Sequence, residues 1–352
     1  MAKEYESGVS AEQDGTGDVA RPARMAGSGG LDRLVGTAQA YARAAASDNT
    51  LRAYAADWAH FARWCRLKGA EPLPPSPEMV GLYLADLAAP GGGRRALTVG
   101  TIERRLSGLV WACAQRGMPL DRGDRHIAAV LAGIRRRHAR PPVQKAAILP
   151  EDIRAMVVTL PHDLRGLRDR AILLLGYAGG LRRSEITCLD HGKDDTPTSG
   201  GWIEILEEGV LLTLDGKTGW REVAIGRGAS EATCPVHALE QWLHFARISF
   251  GPVFTAISRD GRRALGRRLG DRHVVRLIKR CVTNAGLRPD LPEAERRQLY
   301  SGHSLRAGLA SSAETDEAHV QKHLGHASAE MTRRYQRRRD RFRVNLTKAA
   351  GL

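Results

Sequence analysis

The sequence has few cysteines and no long apolar run, and both absences exclude broad classes of protein. The five cysteines form no C-x-x-C pair and leave an odd count, which favours reduced core residues over a disulfide framework. No stretch approaches the ~20 apolar residues that a membrane-spanning helix needs. The N-terminus also lacks the apolar segment of a secretion signal. We therefore expect a cytoplasmic protein with no membrane partner.

Large apolar side chains are also scarce in residues 1–30, where Gly, Glu, Asp and Ser are frequent. Such a segment buries too little apolar surface to offset the entropy of ordering, so we predict a disordered tail. Residues 31–140 predict a helical domain, and two prolines open a predicted linker over residues 141–148. A second domain with a C-terminal tail is predicted over residues 149–352, and each domain is long enough to bury its own core.

Apolar spacing predicts four helices in the first domain. The first has Asp48 or Asn49 as its cap, the second begins at Ser76, and the third covers residues 99–116. The fourth carries apolar residues at helical spacing, namely Ile127, Val130, Leu131 and Ile134.

Acidic side chains are scarce relative to basic ones. Lys and Arg total 54 against 39 for Asp and Glu, which gives a formal net charge of +15. The excess is clustered, as phosphate contacts require, and therefore favours a nucleic-acid partner. The clusters are Arg135, Arg136 and Arg137; Arg262, Arg263, Arg267 and Arg268; and Arg333, Arg334, Arg337, Arg338 and Arg339.

The C-terminal region places a tyrosine after several basic residues. His303 and Arg306 form an H-x-x-R pair, an L-G-H sequence ends at His326, and Tyr335 follows. A tyrosine hydroxyl, with a pKa near ~10, is a weak nucleophile at neutral pH unless cations and proton acceptors surround it. Arginine matches two phosphate oxygens, and histidine exchanges protons at physiological pH. The pattern indicates phosphoryl transfer.

Further basic residues lie upstream. A helical pattern over residues 168–175 is broken by glycines, so Arg182 falls on a tight turn, with Glu185 one helical turn later and within reach of it. Three short strands are then predicted, with Lys217 in the turn between the last two. Their ranges are 202–206, 210–214 and 221–225. The fold class expected is mainly α with a small antiparallel sheet.

From about Asn49 to the C-terminus, these motifs resemble the tyrosine recombinases of the phage integrase family, most closely the Cre-like branch. The resemblance implies a helical core-binding (SAM-like) domain and an α+β catalytic domain that close around double-stranded DNA. It implies a set of catalytic residues supported by Glu185, namely Arg182, Lys217, His303, Arg306, His326 and the nucleophile Tyr335.

The reaction implied by the resemblance is site-specific recombination. Tyr335 attacks a phosphate to leave a 3′-phosphotyrosyl link, and strand exchange proceeds through a Holliday junction in a homotetramer on DNA, with no metal or other cofactor. The resemblance also places Arg272 on the helix that enters the major groove, as a contact to a guanine edge or to a phosphate. Arg104 and Arg105 are further candidate DNA contacts.

Two alternatives share this fold or chemistry. The stretch between Arg306 and His326 is a few residues shorter than the family pattern, which we interpret as the loss of part of a helix–helix turn in the segment from Ser311 to His319. Such a loss would tilt the helix carrying His326 and leave a sequence-specific DNA-binding protein that no longer cuts. A type IB topoisomerase uses the same chemistry. Tyr300, beside His303, is a rival nucleophile that we interpret as a packing residue.

Two unrelated alternatives are weaker. His319, His323 and His326 have i, i+4, i+7 spacing, which is compatible with metal ligands on one helix, although no cysteine lies near them. The sequence at residues 216–218 resembles the end of a phosphate-binding loop, but Leu211 stands where that loop needs glycine. An ATPase is therefore disfavoured.

Overall fold

The four helices that apolar spacing predicts in the N-terminal part of the chain are present. In this computed structural model they are α1 (Asp48–Leu67), α2 (Pro77–Ala88), α3 (Val99–Ala114) and α4 (Arg125–His138). Their apolar faces meet in one core, where Phe61, Trp64 and Tyr83 pack ring against ring.

The structure describes residues 33–34, 36–38, 40–41, 45–141, 143–216, 219–313, 315–325, 328–331 and 333. The predicted disordered tail and the predicted catalytic residues Lys217, His326 and Tyr335 lie outside the described residues. Within the described part, no helix is long and apolar enough to cross a membrane.

The cap of α1 differs from the prediction. Ser47 caps the helix, and its hydroxyl accepts from the backbone N–H of Thr50 at 3.3 Å. The prediction of Asp48 or Asn49 was wrong because the helix begins one residue earlier than its first apolar residues indicate. Asp48 instead lies in the first turn, where its negative charge favours the helix N-terminus.

The chain divides into two compact units at Pro142 and Val143. The second unit contains eight α-helices among its described residues, one short 3₁₀ helix (Glu231–Thr233) and two small sheets. The helices are α5 (Pro150–Val158), α6 (Leu164–Ala178), α7 (Arg183–Thr187), α8 (Pro235–Ala246), α9 (Arg272–Asn284), α10 (Glu293–Leu299), α11 (His303–Ser312) and α12 (Glu317–Leu324).

The predicted fold class, mainly α with a small antiparallel sheet, is confirmed. The strands β1 (Gly201–Ile205), β2 (Gly209–Gly216) and β3 (Gly219–Gly226) form one antiparallel sheet in sequence order, at the three predicted places. A second hairpin, β4 (Thr255–Ile257) and β5 (Ala264–Arg268), was not predicted. Its strands are short, and β5 has two apolar residues in succession and then two arginines in succession, so neither strand shows the alternation that marks a half-buried strand.

The segment predicted as a linker is in part bonded to the second unit. The N–H groups of Ala146 and Ile148 donate to the carbonyls of Leu299 and Ser304 at 2.9 and 3.0 Å, and the Ile148 side chain is fully buried. The compact unit therefore begins at Val143 and not at the predicted residue 149. Composition identified the two prolines as a break but not the backbone pairing that follows them.

Close packing of α6, α11 and α12 depends on glycine. Gly180 has a φ of 55°, and a Cβ added there would lie 2.3 Å from Cδ2 of Leu324. Glycine therefore serves both the left-handed backbone and the contact with α12.

We predict that Gly180→Ala lowers the free energy of unfolding by about 2 to 4 kcal/mol, since it adds backbone strain and overpacks Leu324. Denaturant unfolding measures the change. Gly266→Ala is the matched control, because a Cβ there meets nothing within 4 Å, and its effect should stay within about 0.5 kcal/mol. Equal effects of the two substitutions would contradict this account of Gly180.

Candidate functional site

A buried carboxylate, Glu185, organises the turn between α6 and α7. Its Oε2 accepts from the backbone N–H of Arg182 at 2.7 Å, and its Oε1 accepts from Nη1 of the same arginine at 2.5 Å. The predicted contact between the two residues is therefore present. Glu185 is 5 % exposed, whereas the Arg182 side chain is 31 % exposed. The glutamate thus holds the arginine while part of the Arg182 side chain faces solvent.

The charge state of Glu185 follows from its partners. Burial acts to raise its pKa, but the Arg182 N–H and the positive charges of Arg221 and Arg182 outweigh burial, so the pKa lies below its usual value. Arg221 on β3 donates from Nη2 to Oε2 of Glu185 at 3.0 Å. One ionised carboxylate therefore orients two arginines.

Arg306 lies on α11 and is 1 % exposed. Its Nη1 donates to the carbonyl of Gly180 at 2.7 Å, and its Nη2 donates to the carbonyl of Leu324. One bond fixes the chain just before Arg182, and the other fixes the last residue of α12. A guanidinium carries five N–H donors in a planar fork, so one side chain can bond to both segments at once.

His303 begins α11 and lies beside both arginines. Desolvation of its ring, together with the charges of Arg306 and Arg182, lowers its pKa. The residue nevertheless keeps an exposed surface. The structure therefore brings together Arg182, Glu185, His303 and Arg306, and the lowered pKa of His303 favours the neutral form of its ring.

The short connection between α11 and α12 does not prevent packing. Val320 and Leu324 of α12 lie in a small apolar cluster with Ala310 of α11. Helix α12 ends at Leu324, and Gly325 follows in the left-handed region with a φ of 60°. His326, predicted to lie on this helix, falls outside the described residues.

The metal alternative receives no support from the geometry. His323 donates from Nε2 to the carbonyl of Ala178 at 2.9 Å, while the His319 side chain is 80 % exposed, near Asp316. Among the residues the structure describes, no group of three His, Cys, Asp or Glu side chains could hold a metal ion.

Tyr300 is a packing residue, as interpreted from the sequence. It is 4 % exposed within the core of the second unit, and burial raises the pKa of its hydroxyl. A higher pKa makes the phenolate rarer, so this tyrosine is poorly suited to be a nucleophile.

The predicted DNA contacts differ in their surroundings. Arg272 is the first residue of α9 and is exposed. Arg104 forms a two-bond ion pair with Asp57, which is 3 % exposed, and Arg105 donates to the hydroxyl of Tyr83 at 3.1 Å. Both arginines of α3 are thus held within the first unit. Their role on DNA stays a prediction.

Arg268 belongs to a basic cluster that the sequence suggested for phosphate contacts, but its guanidinium bonds inside the protein. It donates to the buried carboxylate of Asp190, to the hydroxyl of Thr196 at 2.8 Å, and to the carbonyls of Thr187 and Leu189 at 3.0 and 3.1 Å. These bonds join β5 to the chain after α7. Arg268 is therefore a structural cross-link, which charge clustering in sequence does not distinguish from a surface cation.

Comparison with known proteins identifies the family to which this chain belongs. The sequence matches the phage integrase family over residues 147–341. An integrase/recombinase XerD homologue from Selenomonas ruminantium is 32% identical over 308 residues, which cover 85% of this chain and 84% of that protein. The chain belongs to the phage integrase family. The prediction of a tyrosine-type site-specific recombinase is confirmed. Its Cre-like branch stays a prediction.

Solved structures of site-specific recombinases share this fold. The XerH site-specific recombinase bound to palindromic difH substrate in a post-cleavage complex matches with a TM-score of 0.53 and 17% identity, over 80% of this chain and 73% of that one. A lambda integrase tetramer bound to a Holliday junction matches with a TM-score of 0.51 and 15% identity, over 87% of this chain and 75% of that one.

Sequence reasoning missed Arg221, which joins the site from β3. Arg221, Val223 and Ile225 alternate onto the inner face of the strand. A charged residue in register with two buried aliphatic residues is the signal that identifies it, because a charge on an inner face needs a partner. The partner here is Glu185.

We predict that Glu185→Gln lowers the free energy of unfolding by about 2 kcal/mol at pH 7, since it removes the charge from a buried carboxylate shared by two arginines. Because the folded-state pKa is lowered, the stabilisation is present above the usual value of 4.5 and is lost as pH falls through the folded pKa. Denaturant unfolding at pH 7 and at pH values below 4.5 should therefore show the difference from the unsubstituted protein shrinking in acid.

Glu240→Gln is the matched control. Glu240 also pairs with an arginine, Arg227, but its side chain is 32 % exposed. We expect Glu240→Gln to lower the free energy of unfolding by less than about 1 kcal/mol. A difference between Glu185→Gln and the unsubstituted protein that does not change with pH would contradict the ionised state assigned to Glu185.

Proposed function

We propose that this recombinase cuts and rejoins double-stranded DNA through a covalent bond between Tyr335 and the 3′ end of the cut strand. The observation that carries the proposal is that Arg182, His303 and Arg306 lie together. Arg306 bonds to the carbonyls of Gly180 and Leu324, Glu185 holds Arg182, and both arginines act on the pKa of His303. Two planar guanidinium groups beside a neutral histidine suit a phosphate undergoing displacement. In the sequence, Leu324 and Gly325 lead directly into His326.

In the cleavage step, the hydroxyl oxygen of Tyr335 attacks phosphorus and the bond from phosphorus to the 5′ oxygen breaks. His303 accepts the tyrosine proton, a role that fits its lowered pKa, because the neutral ring is the form that accepts a proton. Lys217 donates the proton with which the 5′ oxygen leaves as a hydroxyl. Arg182, Arg306 and His326 stabilise the charge that develops on the non-bridging oxygens.

Rejoining reverses these steps with the 5′-hydroxyl of another strand. The phosphotyrosine retains the energy of the phosphodiester, so no nucleotide cofactor is needed. We propose that exchange passes through a Holliday junction in a homotetramer, and the fold shared with the lambda integrase tetramer on such a junction supports this assembly. With five free cysteines and a DNA substrate, we assign the reaction to the cytoplasm.

Tyr335→Phe tests the reaction class. The probe is the duplex that the unsubstituted protein selects by binding from a random-sequence pool, incubated with EDTA and without ATP. We expect a covalent protein–DNA adduct on a denaturing gel from the unsubstituted protein and none from Tyr335→Phe, because phenylalanine lacks the attacking oxygen. Tyr300→Phe is the control and should keep the adduct, since Tyr300 is buried in the core.

The other outcomes of this assay each contradict the proposal in a different way. Specific binding with no adduct from either protein identifies a binding protein that does not cut. An adduct that persists in Tyr335→Phe places the nucleophile elsewhere. Relaxation of supercoiled DNA with no preferred sequence identifies a topoisomerase.

Arg272→Ala tests the exposed end of α9 as a DNA contact. We expect it to weaken binding of the selected duplex about tenfold, since one direct contact from an arginine is lost. Arg297→Ala is the control, because it removes the same charge from an exposed ion pair on α10. If the two substitutions weaken binding of the duplex equally, Arg272 contributes only through the net charge of the protein and not through a direct contact. A loss that relaxes the sequence preference at one position indicates base recognition, whereas a uniform loss indicates a phosphate contact.

A further inference from the structure

The arginine that sequence reasoning missed has an unusual position on β3. Arg221 lies on the inner face of the strand with Val223 and Ile225, and its side chain is only 10 % exposed. Burying a guanidinium is unfavourable unless it is paired and hydrogen-bonded. Its partners therefore indicate why it lies there.

Arg221 bonds to two elements at once. Nη2 donates to Oε2 of Glu185 at 3.0 Å, and Nη1 donates to the carbonyl of His323 at 2.6 Å. The first bond reaches the carboxylate that orients Arg182. The second reaches the last turn of α12.

Gly325 makes room for this side chain. A Cβ added at Gly325 would lie 2.6 Å from Cδ of Arg221 and 2.9 Å from its Nε. Arg221 therefore passes directly over the backbone of the residue that precedes His326 in the sequence. Its side chain is matched to the glycine of the L-G-H sequence.

We propose that Arg221 is a positioning residue that holds Arg182, through Glu185, and the segment leading into His326 in one arrangement around the scissile phosphate. This inference rests on the proposed function. Arg221 acts through these groups and does not itself bind DNA, since its side chain is only 10 % exposed and both Nη groups bond to acceptors inside the protein. Lysine cannot replace it fully, because a single ammonium does not span both acceptors in the geometry of a planar fork.

The test uses Arg221→Gln and Arg221→Lys in the full chain. Three quantities are compared with the unsubstituted protein: the unfolding midpoint, the Kd for the selected duplex, and the single-turnover rate of adduct formation on that duplex carrying a nick beside the cleavage position. We expect Arg221→Gln to slow adduct formation about 100-fold with Kd changed less than about threefold, since small misplacements of catalytic groups have effects of this size. Arg221→Lys should slow adduct formation about tenfold, because lysine keeps one of the two bonds.

A second substrate separates the proposed role from two others. Sulfur in place of the bridging 5′ oxygen gives a leaving group that departs without a proton. If Arg221 acts through the groups that stabilise the non-bridging oxygens, the variants remain slow on this substrate. Recovery of the rate to within about threefold of the unsubstituted protein overturns the proposal in favour of a role through Lys217 and leaving-group protonation. Adduct rates that fall only in proportion to the folded fraction overturn it in favour of a purely structural role.

Arg227→Gln is the matched control. Arg227 also joins a carboxylate and a carbonyl, with bonds of 2.6 Å to Oε1 of Glu240 and 2.7 Å to the carbonyl of Glu207, and neither partner belongs to the site. The rate of adduct formation by Arg227→Gln should stay within about twofold of that of the unsubstituted protein. If the unsubstituted protein itself forms no adduct, the proposed function fails, an outcome distinct from normal rates in both Arg221 variants.

Discussion

The ionised carboxylate of Glu185 is the interaction on which the site depends. It is 5 % exposed and accepts from Arg182 and Arg221, which lie on different elements. A buried carboxylate requires compensating charge and hydrogen bonds, and only a specific approach of β3 to the α6–α7 turn supplies both. The same requirement orients the arginines, because each must point at Glu185. The need to neutralise one buried charge therefore fixes the position of two cations.

Arg306 complements this arrangement through backbone groups. It donates to the carbonyls of Gly180 and Leu324, so it fixes the course of the chain at the ends of α6 and α12. Helix ends leave carbonyls without intrahelical partners, and a buried guanidinium is well suited to satisfy them. Gly180 and Gly325 lie in the left-handed region beside these carbonyls, which explains why glycine occurs in both motifs. The shape of the site is thus set by backbone termini as much as by side chains.

The features predicted from the sequence are those encoded over a few neighbouring residues. The four N-terminal helices, the strands β1 to β3 and the contact of Arg182 with Glu185 follow from periodicity and from spacing along one helical turn. The role of Arg268 at Asp190, the pairing of Ile148 with Ser304 and the reach of Arg221 to His323 depend on residues far apart in the chain. No local pattern specifies such partners. Only the alternation of β3 offered a partial signal for Arg221.

The balance of charge explains how this arrangement serves a phosphate. The pKa of His303 is lowered mainly by burial and further by Arg306 and Arg182, and that of His323 mainly by burial and further by Arg221 and Arg306. Three guanidinium charges thus act on one small region, whereas the contacts described supply one carboxylate, Glu185. The surplus of positive charge is unfavourable in the free protein and becomes favourable when an anion enters. In the proposed reaction, charge grows on the phosphate oxygens as Tyr335 attacks, and cations already fixed by Glu185 and by backbone carbonyls need little reorganisation to stabilise it.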